Sequence, residues 1–259
     1  MCLCLACGFS GLEPAARFDG LQRQQSGGFG RAAAKQSSVR ILAALDGERG
    51  DLHAGIALGE EEARQTFALL GRALQIDWVS ATQLPALRQT VISARITGYS
   101  AAIVALADRT VAWDAAGLPV LVLTNPPDPT APSGANATPP PEPPARAAAT
   151  GEPDDPIAPG SWSFRIRAEG GRREWDPALE RFGAGELNER FRRRAGRPMT
   201  ADAWCGWVAV KAIAEAALRA RSLAPADVAD ALRALRFDGH KGQPLYFDAR
   251  QQLVQPTYE

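Results

Sequence analysis

The fold is decided by residues 39–70, which read VRILAALDGERGDLHAGIALGEEEARQTFALL. Within them, Val39–Leu45 form a short apolar run that ends at Asp46 and Gly47, a pattern typical of a buried strand. From Gly50 onward, apolar and small residues recur at steps of three and four, which predicts an amphipathic helix. The expected buried stripe of this helix comprises Leu52, Gly55, Ile56, Gly59, Ala63, Phe67, Leu70 and Leu74. Because the stripe contains small residues, we expect the helix to lie close to a sheet.

The alternation of strand and helix continues to residue 125. Short apolar runs predict further strands at 76–80, 101–106 and 119–123, with a helix at 84–97 and a helical turn at 111–116 between them. This order predicts an α/β fold with a doubly wound, mostly parallel sheet. Ligands of such sheets bind at the carboxyl ends of the strands, so the residues that follow each strand are candidate contacts.

After residue 160 the pattern becomes mainly helical. A strand is predicted at Ser161–Arg167, followed by a helix that starts at Asp176 and Pro177 and carries Leu179 and Phe182. Further helices are predicted at 186–195, 200–221 and 225–235, and a closing hairpin at 244–247 and 253–256.

Composition excludes several classes of protein and divides the chain. Lys and Arg number 29 against 29 Asp and Glu, so the chain lacks the basic excess typical of nucleic-acid binders. No apolar run approaches the roughly 18 residues of a membrane span. Twelve of the 20 prolines fall within residues 126–159, which predicts an extended linker. The predicted segments are an export-signal remnant with a flexible tether (1–38), the first part of an α/β unit (39–125), the Pro-rich linker (126–160) and a mainly helical part (161–259).

Two stretches of the second half resemble a known family. Residues 237–258, FDGHKGQPLYFDARQQLVQPTY, are similar to the ending of type I periplasmic binding proteins, in the leucine/isoleucine/valine-binding branch of ABC-transporter substrate-binding proteins. Residues 180–218 resemble a narrower group, the binding proteins associated with pyrroloquinoline quinone (PQQ)-dependent alcohol oxidation. The first resemblance rests on Phe237, Gly239, Gly242, Phe247 and Asp248, and the second on Phe182–Ala184, Leu187, Arg190–Phe191, Gly196–Met199, Trp204, Trp207 and Ala209–Ala212.

The resemblance implies a single lobe of a two-lobed architecture. Family members have two α/β lobes around a cleft, and residues 162–169 look like the first strand that crosses between the lobes. By residues 170–173 the sequence is already similar to the late helices of the family, so nearly all of the second lobe is missing. The implied fold is an amino-terminal-type lobe with a Pro-rich insertion, in which residues 161–259 supply a crossing strand, the late helices and a C-terminal hairpin.

The same resemblance implies a periplasmic solute-binding component of an ABC-type transport system. Its solute is expected to be small and polar, either amino-acid-like or amide-like, or related to quinones. Expected partners are an ABC permease, a protein that supplies the missing lobe, and a second copy of the chain. Nucleic acid and a membrane span are not expected. The alternative is an interaction or accessory protein that derives from this fold and binds no ligand.

Six residues after the predicted strands are candidate ligand contacts. They are Asp46, Asp108, Arg109, Thr110, Thr124 and Asn125. Thr110 and Thr124 match positions where the family uses hydroxyl side chains, whereas Asp108 and Arg109 stand where the family usually has small residues. Arg109 could clamp a carboxylate bidentately, or could form a salt bridge with Asp108 or Asp114 without any ligand.

No metal, cofactor or catalytic role is predicted. Cys2, Cys4 and Cys7 could be soft metal ligands, but the sequence offers no fourth ligand near them, and the end of an export signal is the simpler interpretation. Cys205 is interpreted as a buried small hydrophobic residue. An enzyme on the same sheet is a third interpretation, which a His–carboxylate pair at the carboxyl ends of the strands would favour.

Overall fold

A computed structural model describes residues 38–45, 50–80, 98–105, 117–123, 163–168 and 172–258. The strands are β1 (Ser38–Leu45), β2 (Ala73–Ser80), β3 (Ala101–Ala105), β4 (Val120–Val122), β5 (Ser163–Arg165), β6 (Arg236–Asp238), β7 (Pro244–Phe247) and β8 (Leu253–Val254). The helices are α1 (Gly50–Leu69), α2 (Ala184–Ala195), α3 (Ala201–Arg219) and α4 (Pro225–Arg233).

Strands β1 to β5 form one parallel sheet in the order β2-β1-β3-β4-β5. Ile41 of β1 pairs with Ile76 of β2 on one side and with Ala101 of β3 on the other. Val122 of β4 pairs with Val104 of β3, and β5 lies beside β4 at the edge of the sheet. The predicted parallel α/β sheet is therefore confirmed.

The central strands are buried on both faces, as their nearly continuous apolar sequences predict. Alternate residues of β1, namely Val39, Ile41 and Ala43, belong to the core cluster that includes α1 and α3. Leu42, which lies between them, is only 1% exposed as well. The middle of the sheet thus has no room for a polar site, and polar groups can gather only at the ends of the strands.

Helix α1 packs closely against α3. A Cβ atom on Gly55 would overlap the backbone of Ala203, and Gly59 meets α3 in the same way. On α3, a Cβ atom on Gly206 would lie 2.5 Å from the carbonyl oxygen of Leu52. The expectation that these small residues bring α1 close to the sheet is wrong, because they serve a helix–helix contact in which the two backbones touch.

Two members of the predicted helical stripe lie outside the helix. Helix α1 ends at Leu69, and Leu70 in the following turn is 58% exposed. Leu74 is buried, but as part of β2. The helix stops where it does because Gly71 adopts a left-handed conformation with φ of 64°.

The predicted helix start at Asp176 and Pro177 is wrong. Asp176 precedes a turn that contains Pro177, and the regular helix begins only at Ala184. The side-chain amide of Asn188 donates to the carbonyl oxygens of Pro177 and Leu179, each over 3.1 Å. Because a side chain already satisfies these carbonyls, the segment has no need of helical hydrogen bonds.

The remaining predicted elements fall close to their observed positions. Thr200 caps α3, because its hydroxyl accepts from the backbone N–H of Ala203. The predicted hairpin is present as β7 and β8, and β6 adds a third antiparallel strand that the sequence analysis missed. The predicted elements at 84–97 and 111–116, the linker at 126–160 and residues 1–37 lie outside the described residues.

Candidate functional site

The carboxyl ends of the parallel strands lie side by side at one end of the sheet. Leu45 of β1 is in register with Ser80 of β2 and Ala105 of β3. Val122 of β4 is in register with Arg165 of β5. We call this end of the sheet the carboxyl edge.

The strand order places a topological switch point between β1 and β3. From β1 the chain first adds β2 on one side, and then returns to add β3 on the other side of β1. In open α/β sheets a crevice forms at the carboxyl ends of two such strands, and ligands bind there. The fold therefore marks the carboxyl ends of β1 and β3 as its ligand-binding position.

The candidate contacts follow three neighbouring strands of the sheet. Asp46 comes directly after β1, Asp108–Thr110 follow β3, and Thr124 and Asn125 follow β4. Because β1, β3 and β4 are adjacent, the strand ends that precede these residues are brought together. All six residues lie outside the described ones, so their assembly into one site remains a prediction.

Arg167 links the end of β4 to α3 at the carboxyl edge. Its Nε donates to the carbonyl oxygen of Leu123 over 2.9 Å. Its guanidinium forms ion pairs with Glu174, at 3.2 Å, and with Asp202. The Arg167 side chain is 12% exposed and that of Glu174 is 3% exposed. This partly buried ion cluster holds Leu123, the residue before Thr124. The sequence pattern predicts Arg167 only as the end of a strand.

Cys205 lies near this ion cluster and is fully buried. Burial raises the pKa of its thiol to about 12, so the thiol stays protonated at neutral pH. A protonated, inaccessible thiol is neither a nucleophile nor a metal ligand. The interpretation of Cys205 as a buried small hydrophobic residue is confirmed.

Lys241 is a buried cation that the sequence analysis missed. Its side-chain Nζ donates to Gln255 Oε1 over 2.7 Å and to the carbonyl oxygen of Pro256 over 2.9 Å. The same atom lies 3.8 Å from the centroid of the Trp204 ring. Burial lowers the pKa of the Lys241 ammonium to about 7. Its hydrogen-bond partners lie 14 and 15 residues further along the chain and the Trp204 ring lies in α3, so no local sequence pattern indicates this role.

The C-terminal segment, residues 251–258, supports the chain that follows β5. Gln252 Nε2 donates to the carbonyl oxygen of Arg167 over 2.5 Å. Gln255 Nε2 donates to the carbonyl oxygen of Ile166 over 2.7 Å. Together with Lys241, these contacts hold the end of the chain beside the carboxyl edge.

A stacked aromatic pair lies near the carboxyl end of β2. The rings of His53 in α1 and Trp78 in β2 have centroids 4.2 Å apart and planes inclined by 29°. Trp78 is 38% exposed, whereas Leu74 and Ile76 before it on the same face of β2 are buried. The apolar run at 76–80 predicts that Trp78 lies in a strand, but a strand pattern does not tell which aromatic side chain stays exposed.

A groove of about 450 Å³ lies between α1 and α3. Its apolar lining is Gly59, Ala63, Phe67, Trp207, Ala214 and Leu218, and its polar lining is Glu62, Thr66, Lys211, Glu215 and Arg219. Glu215 pairs with Lys211 at 2.9 Å and with Arg219 at 2.7 Å. Three charged groups of the groove therefore pair with one another, and the fourth, Glu62, pairs with Arg190 of α2 at 2.8 Å.

Neither a metal centre nor a catalytic pair is found in the described part of the chain. Those residues contain no group of three or more His, Cys, Asp and Glu side chains that could hold a metal ion. Their one His–carboxylate contact joins His240 to Asp238, the last residue of β6, at 3.7 Å. No helix in these ranges is both long enough and apolar enough to cross a membrane.

Comparisons with solved structures show which proteins share this fold. An ABC transporter substrate-binding protein from Desulfitobacterium hafniense is 16% identical, with 85% of this chain and 96% of that chain covered and a TM-score of 0.58. A protein of the same description and organism in complex with Leu is 15% identical, with coverages of 84% and 95% and a TM-score of 0.55. A possible leucine/isoleucine/valine-binding protein from Rhodopirellula baltica SH 1 is 8% identical, with coverages of 87% and 94% and a TM-score of 0.53.

These matches establish the fold. The chain has the α/β fold of the leucine/branched-chain amino-acid ABC substrate-binding proteins, and its five-stranded parallel sheet corresponds to one lobe of the type I periplasmic binding fold. The fold that the resemblance implied is confirmed. No protein-family model matches the sequence, and a search of curated proteins finds no match.

Proposed function

We propose that this protein is the solute-binding component of an ABC-type transport system and has no enzymatic role. The observation that carries the proposal is the switch point between β1 and β3. Asp46 and Asp108–Thr110 follow these two strands, and Thr124 and Asn125 follow the neighbouring β4. Together they offer carboxylate, guanidinium, hydroxyl and amide groups to one small polar solute.

The solute belongs to one of two chemical classes. An amino-acid-like or amide-like solute is supported by the solved neighbours, one of which is in complex with Leu. A quinone-related solute is supported by the resemblance of residues 180–218 to PQQ-associated binding proteins. An amino acid would present its carboxylate to Arg109, which can bind it bidentately, and its ammonium to Asp46 or Asp108.

We also propose that the chain binds its solute in the periplasm and does so with a single lobe. In a two-lobed binding protein, closure of the second lobe excludes water and adds polar contacts to the ligand. A single lobe has neither advantage, so we expect weak binding of the free solute. Affinity should rise when an ABC permease, or a protein that carries the missing lobe, covers the carboxyl edge.

A thermal-shift screen tests this function. The purified chain is heated with amino acids, small amides, short-chain products of alcohol oxidation, and PQQ. A compound at 100 times its Kd stabilises the folded state by about 2.7 kcal/mol, which is a rise in Tm of roughly 5 to 10 °C for a domain of this size. No shift with any compound, in a protein that melts cooperatively, would contradict the proposal.

Matched variants locate the binding position. The shift should vanish in Arg109→Ala and Thr124→Ala. It should persist in Arg193→Ala, whose side chain is 70% exposed on α2, and in Thr66→Ala, which is exposed on α1. A shift that survives in all four variants would show that the solute binds elsewhere.

The α1–α3 groove favours a second candidate, an interaction protein without a solute. Leu69 and Leu70 at the end of α1 are 89% and 58% exposed, and Phe67 beside them lines the groove. Apolar side chains exposed next to a groove are typical of protein contact surfaces. Concentration-dependent association measured by light scattering, without any solute-induced shift, would replace the first candidate with the second.

A further inference from the structure

Trp78 differs from the other tryptophans that the structure describes. Trp175, Trp204 and Trp207 are at most 1% exposed, and each donates its indole N–H to an acceptor inside the fold. Their acceptors are Asn188 Oδ1, Gly239 O and Glu62 Oε2. Trp78 is 38% exposed, and among the described residues its indole N–H has no acceptor. Within the described part of the chain, both a ring surface and the hydrogen-bond donor of Trp78 are therefore unused.

The position of Trp78 brings it to the carboxyl edge. It is in register with Ala43 of β1 and lies two residues before Ser80, where β2 ends. His53, in the first turn of α1, stacks on its ring at 4.2 Å. This stack fixes the orientation of the indole. A side chain that is already held in place loses little further conformational freedom when a ligand binds.

We infer that Trp78 and His53 form the part of the proposed solute site against which a planar, conjugated group of the solute lies. The inference rests on the function proposed above. Strand β2 adjoins β1, and Trp78 lies two residues before the end of β2, so the pair lies beside the carboxyl end of β1, the strand that precedes Asp46 in sequence. Stacking of two ring systems stabilises a complex beyond simple burial of apolar area, and the indole N–H favours a solute with a carbonyl oxygen at its edge.

A cationic solute fits the same surface less well. Cation recognition by aromatic rings uses an open ring face, often several, and one face of Trp78 already lies against an imidazole. Asp51, in the same helical turn as His53, forms an ion pair with Arg197 and accepts from the Thr200 hydroxyl over 2.9 Å. Its negative charge is therefore already used, and a neutral or anionic planar group is the better partner.

Isothermal titration of the full chain tests this inference with three probes: L-leucine, L-phenylalanine and PQQ. The two planar probes should bind more tightly than leucine. Trp78→Leu should weaken their binding about tenfold and change leucine binding less than about threefold, whereas Trp78→Phe should keep the preference. His53→Ala, which removes the ring that orients Trp78, should give a smaller loss in the same direction.

An exposed aromatic residue outside the site provides the control. Phe182 is 57% exposed in the turn before α2, and Phe182→Leu should change the binding of no probe. An equal loss for all three probes in Trp78→Leu would overturn the inference, as would leucine binding without any preference for planar probes, and both would leave the proposed function standing. Failure of the unchanged protein to bind any probe would overturn the inference, whereas the proposed function is overturned only when no compound of the thermal-shift screen stabilises the protein.

Discussion

The carbonyl carbon of Ala203 in α3 lies 2.7 Å from the position that a Cβ atom on Gly55 of α1 would occupy. The two helix backbones are thus in direct contact at this point. Helix α1 begins at Gly50, five residues after β1 ends, so the contact positions the helix that follows β1 in the chain. Packing between two helices therefore supports the proposed binding position.

Gly55→Ala should destabilise the fold strongly. The added methyl group would overlap backbone atoms of Ala203, which cannot move aside as a flexible side chain could. We expect a loss of about 3 kcal/mol in the free energy of unfolding, measured by urea denaturation. Gly50→Ala is the control, because its Cβ atom would meet only the end of the Arg197 side chain, at 3.9 Å. A Gly55→Ala protein as stable as the control would contradict the close packing.

The partly buried ion cluster at the carboxyl edge gives a second prediction. Arg167→Met should lower the free energy of unfolding by about 3 kcal/mol, because Glu174 would remain buried without its cation. Adding Glu174→Gln to this variant should restore part of the loss. Arg193→Met, at a position that is 70% exposed, should change stability by less than about 0.5 kcal/mol. Equal denaturation midpoints for the two arginine variants would contradict this account.

Lys241 predicts a pH dependence of stability. Its pKa is lowered from the ordinary value of 10.5 to about 7 in the folded state. Between these two values the unfolded chain holds the proton and the folded chain does not, so unfolding takes up a proton and stability rises with pH. The expected slope from this residue is at most about 1.4 kcal/mol per pH unit.

The measurement compares urea denaturation of two lysine variants within that pH range. Lys241→Met should lose the rise in stability between pH 7 and 9, because it removes the titrating group. Above pH 9 the buried Cys205 thiol, whose pKa is raised from 9.0 to about 12, makes stability fall with pH in both proteins, so the comparison is made below that value. Lys211→Met should retain the rise, because Lys211 is partly exposed and paired with Glu215. The same pH profile in Lys241→Met as in the unchanged protein would show that Lys241 does not titrate in this range.

Two neighbouring glutamates of α1 should differ in how much they contribute to the stability of the fold. Glu62 accepts from Trp207 Nε1 and from Arg190 Nε, each over 2.8 Å, and so joins α1 to both α3 and α2. We expect Glu62→Leu to cost about 2 kcal/mol, because the indole N–H of the buried Trp207 loses its acceptor. Glu61, which is 51% exposed and pairs only with Arg194, should tolerate Leu with a change below about 0.5 kcal/mol. The two variants are compared by thermal melting. Equal melting temperatures would contradict the expected difference in stability.

The sequence was sufficient to predict the parallel sheet, because its strands are short apolar runs such as Val39–Leu45 and its helices carry clear periodicity. It could not show what the small residues Gly55 and Gly59 pack against. A stripe of small residues permits close approach of any neighbour, and the identity of α3 as that neighbour depends on contacts about 150 residues apart in sequence. The missing helix at Asp176 has a similar cause, since Asn188 takes over the carbonyl groups of the preceding turn.

The position of the candidate site is a prediction that a general rule for parallel sheets makes possible from sequence alone. The rule that ligands bind after parallel strands selected the residues that follow β1, β3 and β4, and the observed strand order places those strands together. The rule gave no reason to select Arg167, Lys241 or Trp78. Each of these depends on burial or exposure, which arises from tertiary packing and leaves no local pattern.

Hydrogen–deuterium exchange with and without a bound solute tests the central claim most directly. The solute is the compound that gives the largest thermal shift. Binding at the carboxyl edge should slow exchange in peptides that contain residues 45–52, 105–111 and 122–126, and should leave the α1–α3 groove peptides around Phe67 and Ala214 unchanged. Protection confined to the groove peptides, or absent from all three edge peptides, would contradict the account.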